Sequence, residues 1–180
     1  MKFILTIICL TLSINALWAQ RYLSESGSVS FFSEAPIENI SANNSQVASL
    51  FDAANGQIAF AVPIKSFEFA KSLMREHFNE SYLESDKYPK ATFKGLITGF
   101  EIKEGKQRVS ANGDLFIHGI TRKVTTEGTM EISGDKILLT TAFLVKLEDY
   151  QIKVPKVVFY NIADAIQVKM NLVYKPYEKQ

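Results

Sequence analysis

"ATFKGLITGFEIKEGKQRVSANGDLFIHGITRKVTTEGTMEISGDKILLTTAFLVKL", residues 91–147, decides the fold. Apolar and polar residues alternate through four runs, 91–102, 108–117, 122–132 and 136–147. Each run reads as a strand with one buried face. Between them stand Glu104-Gly105-Lys106, His118-Gly119 and Ser133-Gly134-Asp135, joints rich in the residue types that tolerate hairpin backbone angles. Neighbouring strands are therefore antiparallel, and the joints leave no room for the helical crossovers of a parallel α/β sheet.

Outside that stretch the same alternation continues. "GSVSFFS" (27–33), "GQIAFAV" (56–62) and "AIQVKMNLVYK" (165–175) read as strands, "IENISAN" (37–43) as a weaker one, and Asn55-Gly56 as a turn. The total comes to about eight strands. One helix interrupts them, expected over 66–79: Phe67, Ala70, Leu73, Met74, His77 and Phe78 share a face at helical spacing, and Ser66 can cap the first turn. Its apolar face is most simply buried over one mouth of the rolled-up sheet. Such a sheet can close as a barrel or stack as a sandwich, and the pattern leaves both open. An eight-stranded barrel has an interior that side chains can fill or that can hold one ligand.

A chain of 180 residues, 47% hydrophobic and 22% charged, fits one globular domain, expected over 20–180. Residues 1–19 are set apart: Lys2, the apolar run "FILTIICLTL" (3–12) and a small Ala19 have the layout of a cleaved signal peptide, which implies a periplasmic or secreted protein. The run is short of the roughly twenty residues a membrane span needs, so no stable membrane insertion is expected after cleavage. Cys9, inside that run, is the only cysteine. The mature chain is then without disulfides, cysteine catalysis or thiolate metal sites. Lys2 is the only charged residue of the leader, so its removal takes the formal charge from +1 to zero. With both signs mixed along the chain and no basic block, nothing favours nucleic acid.

Catalytic motifs are sparse. His77 and His118 are the only histidines, and a zinc site would need both to converge with carboxylates such as Glu80, without the H-E-x-x-H spacing. His77 near a helix C-terminus and His118 at a strand end bonded to nearby backbone are the plainer readings. No G-x-S-x-G or Gly-rich phosphate loop occurs, and the acid pairs Glu148-Asp149 and Glu84 with Asp86 read as solvated loop. Asn43-Asn44-Ser45 and Asn79-Glu80-Ser81 match the glycosylation sequon, a triplet frequent by chance. The remaining signal is aromatic: thirteen Phe and seven Tyr, with Phe31, Phe60, Phe93, Phe116 and Phe143 inside strand patterns. They can pack a core or line a tunnel.

Three ordered stretches carry a more specific signal. "SDKYPKATFKG" (85–95), "GDLFIHGITRKV" (113–124) and "LEDYQIKVP" (147–155), together with "REHF" (75–78), resemble the YceI-like family of exported polyisoprenoid-binding proteins. The resemblance implies an all-β fold: a closed antiparallel eight-stranded lipocalin-like barrel around an apolar tunnel, with one short helix over a mouth. It implies a non-enzymatic protein without cofactor or metal that binds, carries or stores an isoprenoid-type lipid, a polyprenyl phosphate or a quinone tail. Under that reading Phe31, Phe60, Leu73, Met74, His77, Phe93, Phe116, His118 and Phe143 contact the ligand, and Arg75, Lys87 and Tyr88 are candidates for its head group. Two rivals stay open: a histidine-dependent enzyme on an apolar substrate, and a filled barrel that docks another envelope protein. Homodimer formation is left open as well.

Overall fold

The hairpin at His118-Gly119 shows how local chemistry sets the architecture. Ile117 pairs with Ile120, so the turn has only two residues, and both have positive φ, 50° at His118 and 80° at Gly119. That is the turn whose twist matches two antiparallel strands, and histidine is among the few non-glycine residues enriched in such conformations.

The computed structural model describes residues 21–34, 39–153 and 163–177. The expected leader, residues 1–19, lies outside the described residues, as do the start of the 37–43 segment and the last two residues of the 147–155 motif. Among the described residues there are ten strands: β1 (Arg21–Ser33), β2 (Ile40–Asn44), β3 (Ala48–Asp52), β4 (Gln57–Pro63), β5 (Glu68–Phe69), β6 (Lys90–Thr98), β7 (Gly105–Ile117), β8 (Ile120–Ser133), β9 (Lys136–Lys146) and β10 (Ala165–Pro176). All pairings are antiparallel, and β10 pairs with β1 to close the sheet on itself.

The barrel has eight staves because two strands share one of them. β1 pairs with β3 through Arg21–Leu23 and with β2 through Val29–Ser33. The shared stave breaks after Asn44, whose side chain accepts the Gln46 N–H and donates to the Pro63 carbonyl, both at 2.7 Å. A register shift in β1 between Ser24 and Ser26 bends the strand where it changes partner. β3 is a strand that the alternation pattern passes over.

The helix differs from expectation. Ile64–Ser66 is a 3-10 turn, Phe67 is extended, and α1 spans Ser72–His77 before continuing as a π turn over Phe78–Tyr82. Pairing of Ala42 with Phe69 and of Asn43 with Glu68 draws the expected first helical turn into the sheet. The Ser66 hydroxyl is engaged with the Gln46 side chain at 3.0 Å instead of capping a helix.

The interior is packed solid at one end. Phe51, Met130, Ile137, Leu172 and Tyr174 are all within 1% of complete burial, and Tyr174 shares a 2.7 Å hydrogen bond with Ser49. At the other end, near α1 and the β7–β8 turn, the core opens.

Candidate functional site: an apolar cavity beneath a polar vestibule

The open end holds a cavity of about 150 Å³. Strand alternation brings Val29 and Phe31 from β1, Phe60 and Val62 from β4, Leu115 and Ile117 from β7, Phe143 and Val145 from β9, and Val168 and Met170 from β10 to its wall. Its cover comes from Phe67, Phe69, Met74, Phe78, Tyr82 and Leu83. Phe78 anchors that cover, with ring centroids 5.4 Å from Phe31, 5.4 Å from Phe67 and 5.0 Å from Phe69. Apart from Ser33 and the Tyr82 hydroxyl, every lining side chain is apolar. A cavity with this lining offers water few polar partners and suits hydrocarbon.

A smaller cavity, about 40 Å³, lies towards the solid base. Phe60, Leu115, Phe143 and Met170 line both spaces and form a waist between them. Room for it is made by two glycines. Gly95 and Gly113 pair across β6 and β7, and a Cβ on either would stand 2.7 Å from the Phe93 ring. The Phe93 ring therefore lies against the wall, stacked on Phe60 at 5.2 Å and 16°.

Outside the cover is a polar pocket of about 350 Å³ lined by Tyr82, Glu84, Lys87, Tyr88, His118, Gln151 and Lys153, among others. Here the three motifs meet. His118 Nδ1 lies 3.0 Å from the Tyr150 carbonyl and Nε2 lies 2.7 Å from Glu84 Oε2. Its ring meets Tyr88 edge-on at 4.8 Å, and Tyr88 in turn packs so tightly on Gly119 that a Cβ there would come within 2.6 Å of the phenol ring. Arg122 Nε donates to the Asp149 carbonyl at 2.9 Å. Burial raises the phenol pKa of Tyr82, and burial with the neighbouring Asp149 raises that of Tyr150, so both stay neutral at ordinary pH.

The residues expected to contact a ligand fall into separate places. Phe31, Phe60, Met74 and Phe143 line the main cavity, and Phe93 lines the smaller one. Leu73 is 56% exposed, because the helix begins later than expected and presents Met74 and Phe78 inward instead. Phe116 lies on the outer face, its neighbours Leu115 and Ile117 being the inward pair. His77 is half-buried on α1 and lines neither cavity nor the polar pocket, and Arg75 is exposed. Lys87, Tyr88 and His118 line the polar pocket. The sequence assigns no role to Tyr82, Gln151 or Lys153, and in it Glu84 reads as solvated loop, where the structure bonds that carboxylate to His118. Tyr82 ends the π turn and Glu84 follows in the loop it sets, and Glu84 meets its partner 34 positions away. Among the described residues no three His, Cys, Asp or Glu side chains gather as a metal site would require.

A closed antiparallel barrel, solid at one end and hollow and apolar at the other, places the protein in the class of calyx-like barrels. Within that class the chain belongs to the YceI-like domain family, whose profile matches residues 23–174. Solved structures agree in fold. A polyisoprenoid binding domain from Saccharophagus degradans implicated in plant cell wall breakdown superposes with a TM-score of 0.75 at 15% identity, over 88% of this chain and 99% of that one. BcnA of Burkholderia cenocepacia gives 0.69 at 20% identity, over 82% and 95%. A YceI protein of Campylobacter jejuni gives 0.64 at 17% identity, over 81% and 90%. At these identities the likeness is one of fold. No curated protein matches the chain.

Proposed function

We propose that this protein is a non-enzymatic binder of an isoprenoid-type lipid, which it carries or stores after export to the periplasm or beyond, the lipid tail occupying the cavity at the hollow end of the barrel. The observation that carries the reading is the contrast within one core: Phe51, Met130, Ile137, Leu172 and Tyr174 are buried almost completely at one end, while the other end has an apolar space of about 150 Å³ beneath a cover of aromatic side chains. An unfilled apolar cavity costs stability, roughly 24 cal/mol for each Å³ in mutant series, so a standing one suits a protein whose occupant completes it. The polyisoprenoid binding of the Saccharophagus degradans domain, which shares this fold, supports the same chemistry.

Size sets a condition on the ligand. Engineered cavities of about 150 Å³ take up benzene, so the space as it stands fits a short stretch of tail. A longer chain enters only if the waist at Phe60 and Phe143 and the flexible Met74 re-pack. Each methylene buried contributes about 0.8 kcal/mol, offset by the ordering of the tail, which makes affinity depend on how far the tail penetrates.

Native mass spectrometry of protein purified gently from its own host tests the reading. The expected result is a bound apolar molecule with the mass of a prenyl lipid. A chain that carries no extractable apolar ligand and takes up no prenyl lipid when offered would overturn it. The histidine-dependent enzyme has a separate test, since alanine at both His77 and His118 abolishes turnover in that rival.

A further inference from the structure

Tyr82 is shared by two spaces of opposite character, the apolar cavity beneath it and the polar pocket above it. Three loops from distant parts of the chain wall that upper pocket, and each contributes one non-glycine residue of positive φ: Glu84 at 41°, His118 at 50° and Gln151 at 53°. Among the described residues these are the only three. Each has a local reason, as a two-residue turn or the end of a helical turn, yet local reasons do not require all three to face one space. Backbone held in sparsely populated conformations gathers at ligand clamps, where surrounding contacts fix it.

The charges on this wall are unequal. Among the described residues Glu84 supplies the pocket's one carboxylate, and that carboxylate is engaged by His118 Nε2 at 2.7 Å. Two ammonium groups line the same space. Lys87 lies over the Tyr88 ring, 4.9 Å from its centroid, and Lys153 has no ion pair among the described residues. With the carboxylate engaged, the wall of the vestibule carries two cationic donors among the described residues, Lys153 and Lys87, the latter bonded beside Tyr88, next to the Tyr82 side chain that also lines the cavity.

Resting on the lipid-binding reading above, we infer that this vestibule is a head-group site that selects an anionic head of the phosphate class over a neutral one, with Tyr82 at the neck between head and tail. To an alcohol or a quinone carbonyl an ammonium group is the only charged partner, whereas to a phosphate both partners are charged and a phenol also gains a charged acceptor, so the phosphate is held more strongly. The tail gives affinity and the vestibule gives discrimination.

Calorimetric titration with farnesol and with farnesyl monophosphate, below their aggregation concentrations, separates the two contributions. The phosphate binds at least about tenfold tighter than the alcohol. In Lys87→Gln/Lys153→Gln the two ligands come within about threefold of each other, whereas Lys94→Gln, on the outer face of β6, keeps the full preference. Equal affinity of the unaltered protein for both ligands overturns the head-group site while leaving tail binding intact. Failure of both ligands to bind overturns the lipid reading on which the site rests. Inorganic phosphate titrated alone is the last arm: binding as tight as that of the farnesyl phosphate would make the pocket a free-anion site and overturn the assignment to a lipid head, and absence of such binding supports it.

Discussion

His118 earns its place by geometry more than by reactivity. Its backbone occupies a left-handed turn position while both ring nitrogens are engaged, so the side chain ties the β7–β8 turn to the 84–88 loop and to the Tyr150 carbonyl. His118→Ala removes both bonds and places a less tolerant residue at positive φ, and it is expected to cost about 2 kcal/mol. His118→Asn, which tolerates that backbone, recovers part of the loss, and urea midpoints of the three proteins check the order. Tyr174 makes a different residue-scale prediction. Burial raises its pKa far above that of an exposed phenol, with the Ser49 bond a smaller opposing effect. Below about pH 10 the hydroxyl is protonated in both native and unfolded chains, and the stability is intact. Above it the unfolded chain releases a proton that the native chain keeps, so stability falls with rising pH by up to about 1.4 kcal/mol per unit. Tyr174→Phe should lose about 1 kcal/mol at neutral pH with its hydrogen bond, and then show a shallower alkaline decline in urea titrations. Tyr82 and Tyr150, shifted the same way, leave some decline in the variant.

Elements show why strands were readable and the cover was not. A strand with one buried face writes its period into the sequence, and 91–147 yields β6 to β9 with small errors at the ends. β3 is only five residues and follows β2 after a side-chain-stabilised break at Asn44, so two half-staves look like one weak strand and a loop. The cover misleads as a helical pattern because Phe67, at helical spacing from Ala70 and Met74, belongs to an extended segment whose Glu68 and Phe69 pair with β2. The Glu84–His118 bond joins positions 34 apart, and Gly95 faces Gly113 only once the β6–β7 register is set, so neither is written in a local pattern. That cover is held by aromatic packing, which makes Phe78 its weakest point for testing. Phe78→Ala removes three ring contacts and should cost about 3 kcal/mol. Because the loss falls on the cover, bound prenyl lipid should also leave faster, measurable as a raised dissociation rate in a transfer assay to vesicles. An unchanged rate would place the exit elsewhere in the wall.

At the scale of the whole molecule the barrel is uneven along its axis, with the most deeply buried side chains at the base and the larger apolar cavity at the other end. The two are separable by substitution. Met130 is fully buried and lines neither cavity, although its ladder partner Leu139 lines the smaller one, so Met130→Ala should destabilise by about 2–5 kcal/mol while the main cavity keeps its shape. Val168 points into the main cavity and is only half-buried. Val168→Phe places a ring where the tail would lie, so the unliganded protein should hold its melting temperature or gain up to about 1 kcal/mol, while prenyl-lipid binding weakens at least tenfold. Ligand linkage gives the same contrast a second readout. A ligand at a hundred times its Kd stabilises the unaltered protein by about 2.7 kcal/mol, and Met130→Ala should show that increment in full on a lower baseline. Val168→Phe should show almost none of it on an unlowered one. If filling the cavity left the ligand-induced shift intact, the tail would have to bind outside the hollow end, because no rearrangement of the base could make room for it without losing the packing of Phe51, Leu172 and Tyr174.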